Sequence, residues 1–376
     1  MKSGGLNKAK RANSVGGVYP GGGCKVKLDE LAGKCGEWLK GTGPESDIVI
    51  SSRIRLARNL SEYPFVRRCT EGDKRSILRA ARQAVDAIEE WKSVEFVDVE
   101  PLSELDRQFL VERQLISREL SESDGPRGVA IDGTERFSVM INEEDHLRIQ
   151  VIRSGLDLKS AWNDAAEIDD RLERKLTFAY LEKLGYLTAC PTNVGTGLRV
   201  SVMLHLPALV ITRQIEKVFR SLQKMNVAVR GLFGEGSQFT GDFYQVSNQI
   251  TLGRNEEALL QQVEYVVPQL IEYERKARSF LMNNGAHDLH DDVSRAYGIL
   301  QTAKKISSDE TMLYLSKVRM GVNLGLIPDL EIQTVNKLLI HTQPAHLQKL
   351  RGKVLNTTDR NIERAGYLQK HLVKRS

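Results

Sequence analysis

The sequence is short of several things, and each shortage excludes something. It has four cysteines, Cys24, Cys35, Cys69 and Cys190, with no C-x-x-C spacing and no histidines set among them. A disulfide framework and a zinc site are therefore not expected, and the thiols read as reduced. No run approaches the roughly 18 apolar residues of a membrane span. Neither sign of charge dominates: 54 Lys and Arg against 49 Asp and Glu leave a net +5. So mild an excess reads as a solvated surface and gives no reason to expect nucleic acid or membrane as a partner. Residues 1–27 hold no acid and no apolar stretch of the kind a secretory leader needs. They read as a disordered, Gly-rich basic tail. Two nucleotide signatures are missing as well. There is no G-x-x-x-x-G-K-[ST] loop, and the Gly-rich loop, H-R-D and D-F-G set of protein kinases is absent.

What is present is length enough, at 376 residues, for two domains, and a recurring local grammar. The clearest instance runs from Cys190 through Pro191-Thr192-Asn193-Val194-Gly195-Thr196-Gly197-Leu198-Arg199 into an alternating strand. Leu198, Val200, Val202 and Leu204 share one face; Arg199, Ser201, Met203 and His205 share the other. A thiol, a turn rich in backbone N–H groups and a fixed positive charge are thus set side by side, as for a phosphate. The strand predicted over 47–59 places Ser51, Arg53 and Arg55 on one face and Ile54 and Leu56 on the other. A strand over Phe137–Ile141 runs into Glu143, Glu144, Asp145, His146 and Arg148. If that segment stays extended, Glu144, His146 and Arg148 share a face while Glu143 and Asp145 point away. A further strand, 227–230, ends at Arg230 before a second Gly-rich turn, Gly231-Leu232-Phe233-Gly234-Glu235. Arginines at the ends of four strands are costly apart and sensible around one polyphosphate.

Around these lie predicted helices: 28–39; one capped by Asp73 and reaching Trp91; 161–184, with Gly185 just past its end; and 214–225. A strand is predicted over 243–252. From Glu256 the chain turns helical, with a bend at Pro268, a break at Asn283-Asn284-Gly285, a capping box at Ser307 and Glu310, and a last helix capped by Thr358. Residues 1–45 are read as tail and short helix, 46–278 as a catalytic domain and 279–376 as a helical domain.

Four blocks carry a family resemblance: Ser51-Ser52-Arg53-Ile54-Arg55, Asn142 to Arg148, Cys190 to Arg199, and Arg230 to Glu235. In order and spacing they resemble the phosphagen (guanidino) kinases, which transfer the γ-phosphoryl of ATP to a guanidinium nitrogen. The resemblance implies an α+β fold, an antiparallel sheet flanked by helices and followed by an all-helical C-terminal domain. It implies that Arg53, Arg55, Arg148, Arg199 and Arg230 clamp the ATP phosphates. Ser51, Ser52, Ile54, Gln114, Val200, Ser201, Val202, Met203 and Gly231 to Glu235 belong to the same nucleotide segments. Mg²⁺ would be held mainly by the phosphates and water. Glu144, supported by Glu143, would orient the acceptor guanidinium and take its proton. Glu235 would hold the guanidinium from the other side, with Cys190 against it. An acceptor of pKa above about 12 is no nucleophile until a proton leaves, so a carboxylate and a thiolate suit the task.

The helical N-terminal domain of the small-molecule members has no counterpart in the 50 residues before Ser51, and the helical extension lies at the other end. That arrangement resembles the bacterial protein arginine kinases. It implies protein substrates with accessible arginines, autophosphorylation, delivery of marked proteins to a Clp ATPase and its protease, a zinc-binding activator, a homodimer and a cytoplasmic setting. The family's phosphoarginine-binding motif corresponds to Arg360, Asn361, Arg364 and Ala365, with Asn361 where an acid is usual. Arg360 and Arg364, four apart, would share one phosphate. Gln114 stands where a histidine is usual, so altered nucleotide affinity is expected. Two rivals stay open: a kinase of free arginine or another small guanidine, and a catalytically silent phosphoarginine-binding adaptor.

Overall fold

The computed structural model describes residues 28–231 and 241–373. The strands are β1 (Val49–Arg58), β2 (Val94–Asp98), β3 (Gly128–Asp132), β4 (Phe137–Ile141), β5 (Leu147–Ser154), β6 (Tyr180–Leu181), β7 (Gly185–Tyr186), β8 (Leu198–His205), β9 (Val227–Gly231) and β10 (Phe243–Asn248). One eight-stranded sheet runs β2-β3-β4-β5-β1-β8-β10-β9, and every neighbouring pair in it is antiparallel. β6 and β7 form a small separate hairpin. The fold is the expected antiparallel sheet flanked by helices, with helices alone from Glu256 onward.

Period-two alternation makes one face of the sheet apolar. Ile54, Leu56, Leu198, Val200, Val202 and Leu204 are each 0% exposed. Their neighbours in the core come from helices Glu71–Asp86 (Ile77, Ala81, Val85), Leu158–Glu173 (Ala161, Ala165, Ile168) and Glu256–Thr302 (Val263, Val267). A smaller core joins β3 and β4 to helices Glu104–Glu112 and Pro344–Arg351 through Phe109, Leu110, Val129, Met140 and Ala345. The helical region is tied to the sheet by Arg319, whose guanidinium donates to Ser46 O at 2.6 Å, Asp47 O at 2.9 Å and His205 Nδ1 at 3.0 Å.

Several expectations change. The helix predicted over 161–184 ends at Glu173. Beyond it Phe178 bridges to Leu60, and Ala179 N donates to Asn59 O. Tertiary pairing overrides the helical periodicity there and leaves Leu184 exposed. Gly185 is a hairpin residue at φ +77°, where a Cβ would sit 2.5 Å from Gly195 O. The helix at 71–86 starts from Thr70, with Asp73 reaching back in a capping box. The segment 28–39 splits into helix Leu28–Ala32 and a 3-10 turn at Glu37–Leu39. β10 stops at Asn248, whose side chain takes over the ladder by accepting from Val200 N and donating to Leu198 O. The long helix contains Pro268 and loses helical geometry at Gly285 (φ −158°, ψ 36°), so the expected break stands. The capping box at Ser307 and Glu310 forms as expected. The last helix, Thr357–Leu372, is capped by Asn356 and not by Thr358, and Ile362 faces solvent. The basic tail lies outside the described residues.

Candidate active site

Sheet register gathers the arginines. Arg55 stands directly opposite Arg199, Arg53 opposite Ser201, Arg148 opposite Ala57, and Arg230 opposite Gln245. Directly opposed residues share a face. The five arginines therefore stand on the face away from Ile54, Val200 and Val202. They line one cavity of about 640 Å³ together with Gln114, Glu143, Glu144 and Cys190. The remaining residues of the same blocks are supports. Ser52 Oγ donates to Gly155 O and accepts from Asp157 N; Ser201 Oγ donates to Arg53 O. Ser51 and Met203 are opposed neighbours on β1 and β8, and Gly231 closes β9. Leu232, Phe233, Gly234 and Glu235 lie outside the described residues.

Like charges facing each other across a sheet repel. The Arg53 guanidinium is pulled down to about 10 by burial first, then by Arg199, Arg148 and Arg230. Its two terminal nitrogens are clasped by side-chain carbonyls, Gln114 Oε1 at 3.0 Å and Gln245 Oε1 at 2.6 Å. Arg55 is held well below the ordinary arginine value by burial, then by Arg53, Arg148 and Arg199, with Glu143 opposing. Its buried Nε has no partner. Arg199 donates to Ser247 Oγ at 3.2 Å. A desolvated cluster of this kind, with an unpartnered donor, is complementary to an anion of several charges.

The carboxylate segment is not extended. Asn142 adopts φ +59°, and Asn142 N donates to His146 O, closing a turn. The Asn142 amide pins that turn to Lys74 O and Pro126 O, each at 2.8 Å. Glu143 and Glu144 both reach the cavity as a result. Glu143 Oε1 accepts from Arg148 Nη1 at 2.6 Å and from the Ser117 hydroxyl, while its Oε2 is buried without a partner. Glu144 Oε2 lies 3.7 Å from Arg148 Nη2. Burial raises the Glu144 carboxyl above its ordinary value; Arg148 opposes this, and Asp145 and Glu143 add to it. His146 is outside the site, its ring buried with Nδ1 accepting from Leu60 N and Nε2 against Pro64 O. Cys190 Sγ lies 3.0 Å from Thr192 Oγ1 at the start of the Pro191–Asn193 turn. Sequence reasoning missed Ser117, Gln245, Thr192 and Asn59. Gln245 carried a readable signal, since it alternates with Val246 and shares its strand face with Ser247.

The motif at the C-terminal end is arranged differently from its expected use. Arg364 is 1% exposed and donates to Thr342 O at 2.7 Å, Ile306 O at 3.0 Å and Asn361 Oδ1 at 2.6 Å. Arg360 donates to Leu355 O, just ahead of its helix, and to Thr357 Oγ1 in the first turn, and Ala365 is buried. In this structure the two guanidinium groups do not converge on a common open site.

Residues 76–277 match the family described as ATP:guanido phosphotransferase, C-terminal catalytic domain. Residues 286–376 match the Protein-arginine kinase McsB C-terminal domain. A protein-arginine kinase of Symbiobacterium thermophilum is 48% identical over 338 residues, covering 89% of this chain and 96% of its own. The chain belongs to the protein-arginine kinase family. Another member, from Halothermothrix orenii, is 44% identical over 92% of this chain and 99% of its own. Among solved structures, lombricine kinase superposes with a TM-score of 0.56 at 25% identity, over 64% of this chain and 69% of its own. This membership makes the chain a phosphotransferase with the guanidino-kinase fold. No helix among the described residues is long and apolar enough to cross a membrane.

Proposed function

We propose that the chain transfers the γ-phosphoryl group of ATP to arginine side chains of proteins. The observation that carries the reading is the cavity itself. Five arginines occupy its sheet floor, and a raised-pKa carboxylate, a second carboxylate and a thiol stand on loops beside them. Arg53, Arg55, Arg148, Arg199 and Arg230 would hold the triphosphate, the unpartnered Arg55 Nε being one donor for it. Mg²⁺ would be carried mainly by the phosphates and water. When bound, Mg²⁺ neutralises charge on the transferring phosphoryl group. Glu144 orients the acceptor guanidinium and takes one proton from it. The freed nitrogen attacks phosphorus, the P–N bond forms, and the bond to the bridging oxygen breaks with its electron pair leaving on ADP. Cys190 stands against the same guanidinium from the opposite loop. Glu143 fixes Arg148, and Glu235 is assigned to the acceptor by its motif.

The domain division at about residue 278, a phosphoarginine site at Arg360, Asn361, Arg364 and Ala365, autophosphorylation, Clp delivery, a zinc-binding activator, a homodimer and a cytoplasmic setting complete the proposal on the strength of the resemblance. Incubation with ATP and either an unfolded protein or free arginine tests the core of it. Acid-labile phosphate on protein arginines is expected; labelled free arginine with no labelled protein overturns it, as does wild-type activity in Glu144→Gln.

A further inference from the structure

The two loops that carry Glu144 and Cys190 meet at one buried oxygen. Asp145 is 1% exposed, and its Oδ1 accepts from the Ala189 N–H and from the Asn59 side-chain amide, both at 2.6 Å. Asp145 follows Glu144 in sequence, and Ala189 precedes Cys190. Asn59 is the next residue after β1, the strand that carries Arg53 and Arg55. Its Nδ2 also donates to Leu187 O at 3.0 Å, and its Oδ1 accepts from His146 N at 2.9 Å. One carboxylate oxygen and one amide thus join the end of the arginine strand, the carboxylate turn and the thiol loop. The second carboxylate oxygen of Asp145 is buried and bonds nothing, so both hydrogen bonds of the side chain fall on the oxygen that joins these loops.

We infer that Asp145, with Asn59, is a positioning residue that sets the separation of Glu144 and Cys190 about the acceptor guanidinium. The inference rests on the proposed roles of Glu144 and Cys190. Neither Asp145 nor Asn59 lines the cavity. They act through the backbone one residue away from each reacting group. The sheet holds the arginines independently, through the register of β1, β5, β8, β9 and β10. Loosening the junction therefore misplaces the acceptor end and spares the nucleotide end. A displacement of an ångström at reacting atoms lowers the rate by about 100-fold.

The test compares Asp145→Ala, Asp145→Asn, Asn59→Ala and the Asp145→Ala/Asn59→Ala double variant, in full-length protein, with Glu144→Gln and Cys190→Ser as references. Expected are an about 100-fold fall in kcat for Asp145→Ala and ADP dissociation constants and binding stoichiometry within about twofold of wild type. Asp145→Asn keeps an acceptor and recovers at least about tenfold of the loss. The double variant is no slower than about the slower single, because both act through one junction. ADP stoichiometry reports the folded fraction, so a variant that folds poorly is still read per folded site. Two results overturn the inference: kcat of Asp145→Ala within twofold of wild type, or ADP affinity falling in step with kcat, which marks a merely structural role. Unchanged activity in both Glu144→Gln and Cys190→Ser instead overturns the underlying site assignment.

Discussion

Removing one charge from the arginine cluster separates what the cluster does for folding from what it does for nucleotide. Take Arg53→Met. The fall of the Arg53 guanidinium from the ordinary arginine value to about 10 means that its charged form is disfavoured on folding. That shift corresponds to about 3 kcal/mol. Deleting the side chain also removes its two hydrogen bonds to Gln114 and Gln245. Those amides border a cavity that admits solvent, so the loss is about 1 kcal/mol each. The ligand-free variant is therefore expected to be about 1 kcal/mol more stable than wild type, although a partly buried, hydrogen-bonded residue has gone. With nucleotide the sign reverses. A charge-assisted phosphate contact of about 3 kcal/mol corresponds to about 100-fold in affinity. An ADP concentration of about 100 times the wild-type dissociation constant adds about 2.7 kcal/mol to wild type and about 0.4 kcal/mol to the variant. Urea denaturation with and without Mg-ADP reads both numbers. A ligand-free variant more than about 2 kcal/mol less stable than wild type, or an undiminished ADP effect, would refute the reasoning.

Three further outcomes follow from other parts of the molecule. Gln114→Ala releases one side of the Arg53 clasp, so the ADP dissociation constant is expected to rise about tenfold with kcat within twofold, measured by titration and steady-state assay. Arg364→Ala leaves two buried carbonyls and the Asn361 amide oxygen unmet and should lower unfolding free energy by about 3 kcal/mol in urea, whereas Arg360→Ala, half-buried and bonded only near the start of its own helix, should stay within about 0.5 kcal/mol. His346, stacked on His341, is pushed down to about 3 by burial and then by Arg113. The unfolded chain binds the proton that folded His346 refuses, so this stability is present above about pH 6.5 and is lost as pH falls toward 3. His346→Gln should reduce the slope of unfolding free energy against pH between about 6 and 4 by about 1.4 kcal/mol per unit, read by denaturation at each pH.

Much of the site was legible because a strand's alternation is a strict rule. Leu198 to His205 announced one buried and one functional face, and register then fixed which arginines would meet. The carboxylate turn was not legible in the same way. Alternation put Glu143 on the far side from Glu144, but one residue, Asn142 at positive φ, breaks the period and brings both to the cavity. Nothing in the local pattern distinguishes that asparagine, because its conformation is held by carbonyls of Lys74 and Pro126, distant in sequence. The segment after Glu173 failed for the same kind of reason. Its apolar spacing is helical, yet Phe178 and Ala179 find partners at Leu60 and Asn59. Periodicity reports which side of an element is apolar and is silent on a partner more than a hundred residues away.

The motif at Arg360 to Ala365 shows where a resemblance and a geometry divide. Spacing four apart on a helix allows two guanidinium groups to share a phosphate, but only if both leave the protein surface on one side. Arg364 instead points inward, and Asn361 supplies one of its three acceptors from one helical turn away. An aspartate at 361 would pair with that guanidinium as a charge; the asparagine can offer only a neutral carbonyl, and the remaining positive charge is met by the backbone oxygens of Ile306 and Thr342. Those two carbonyls precede the helices beginning at Ser308 and Pro344. Arg364 therefore ties three helices at one point. Drawing it outward to a phosphate would free two buried carbonyls, at about 1 to 3 kcal/mol each, so any ligand there must bring its binding energy against that of the helical packing.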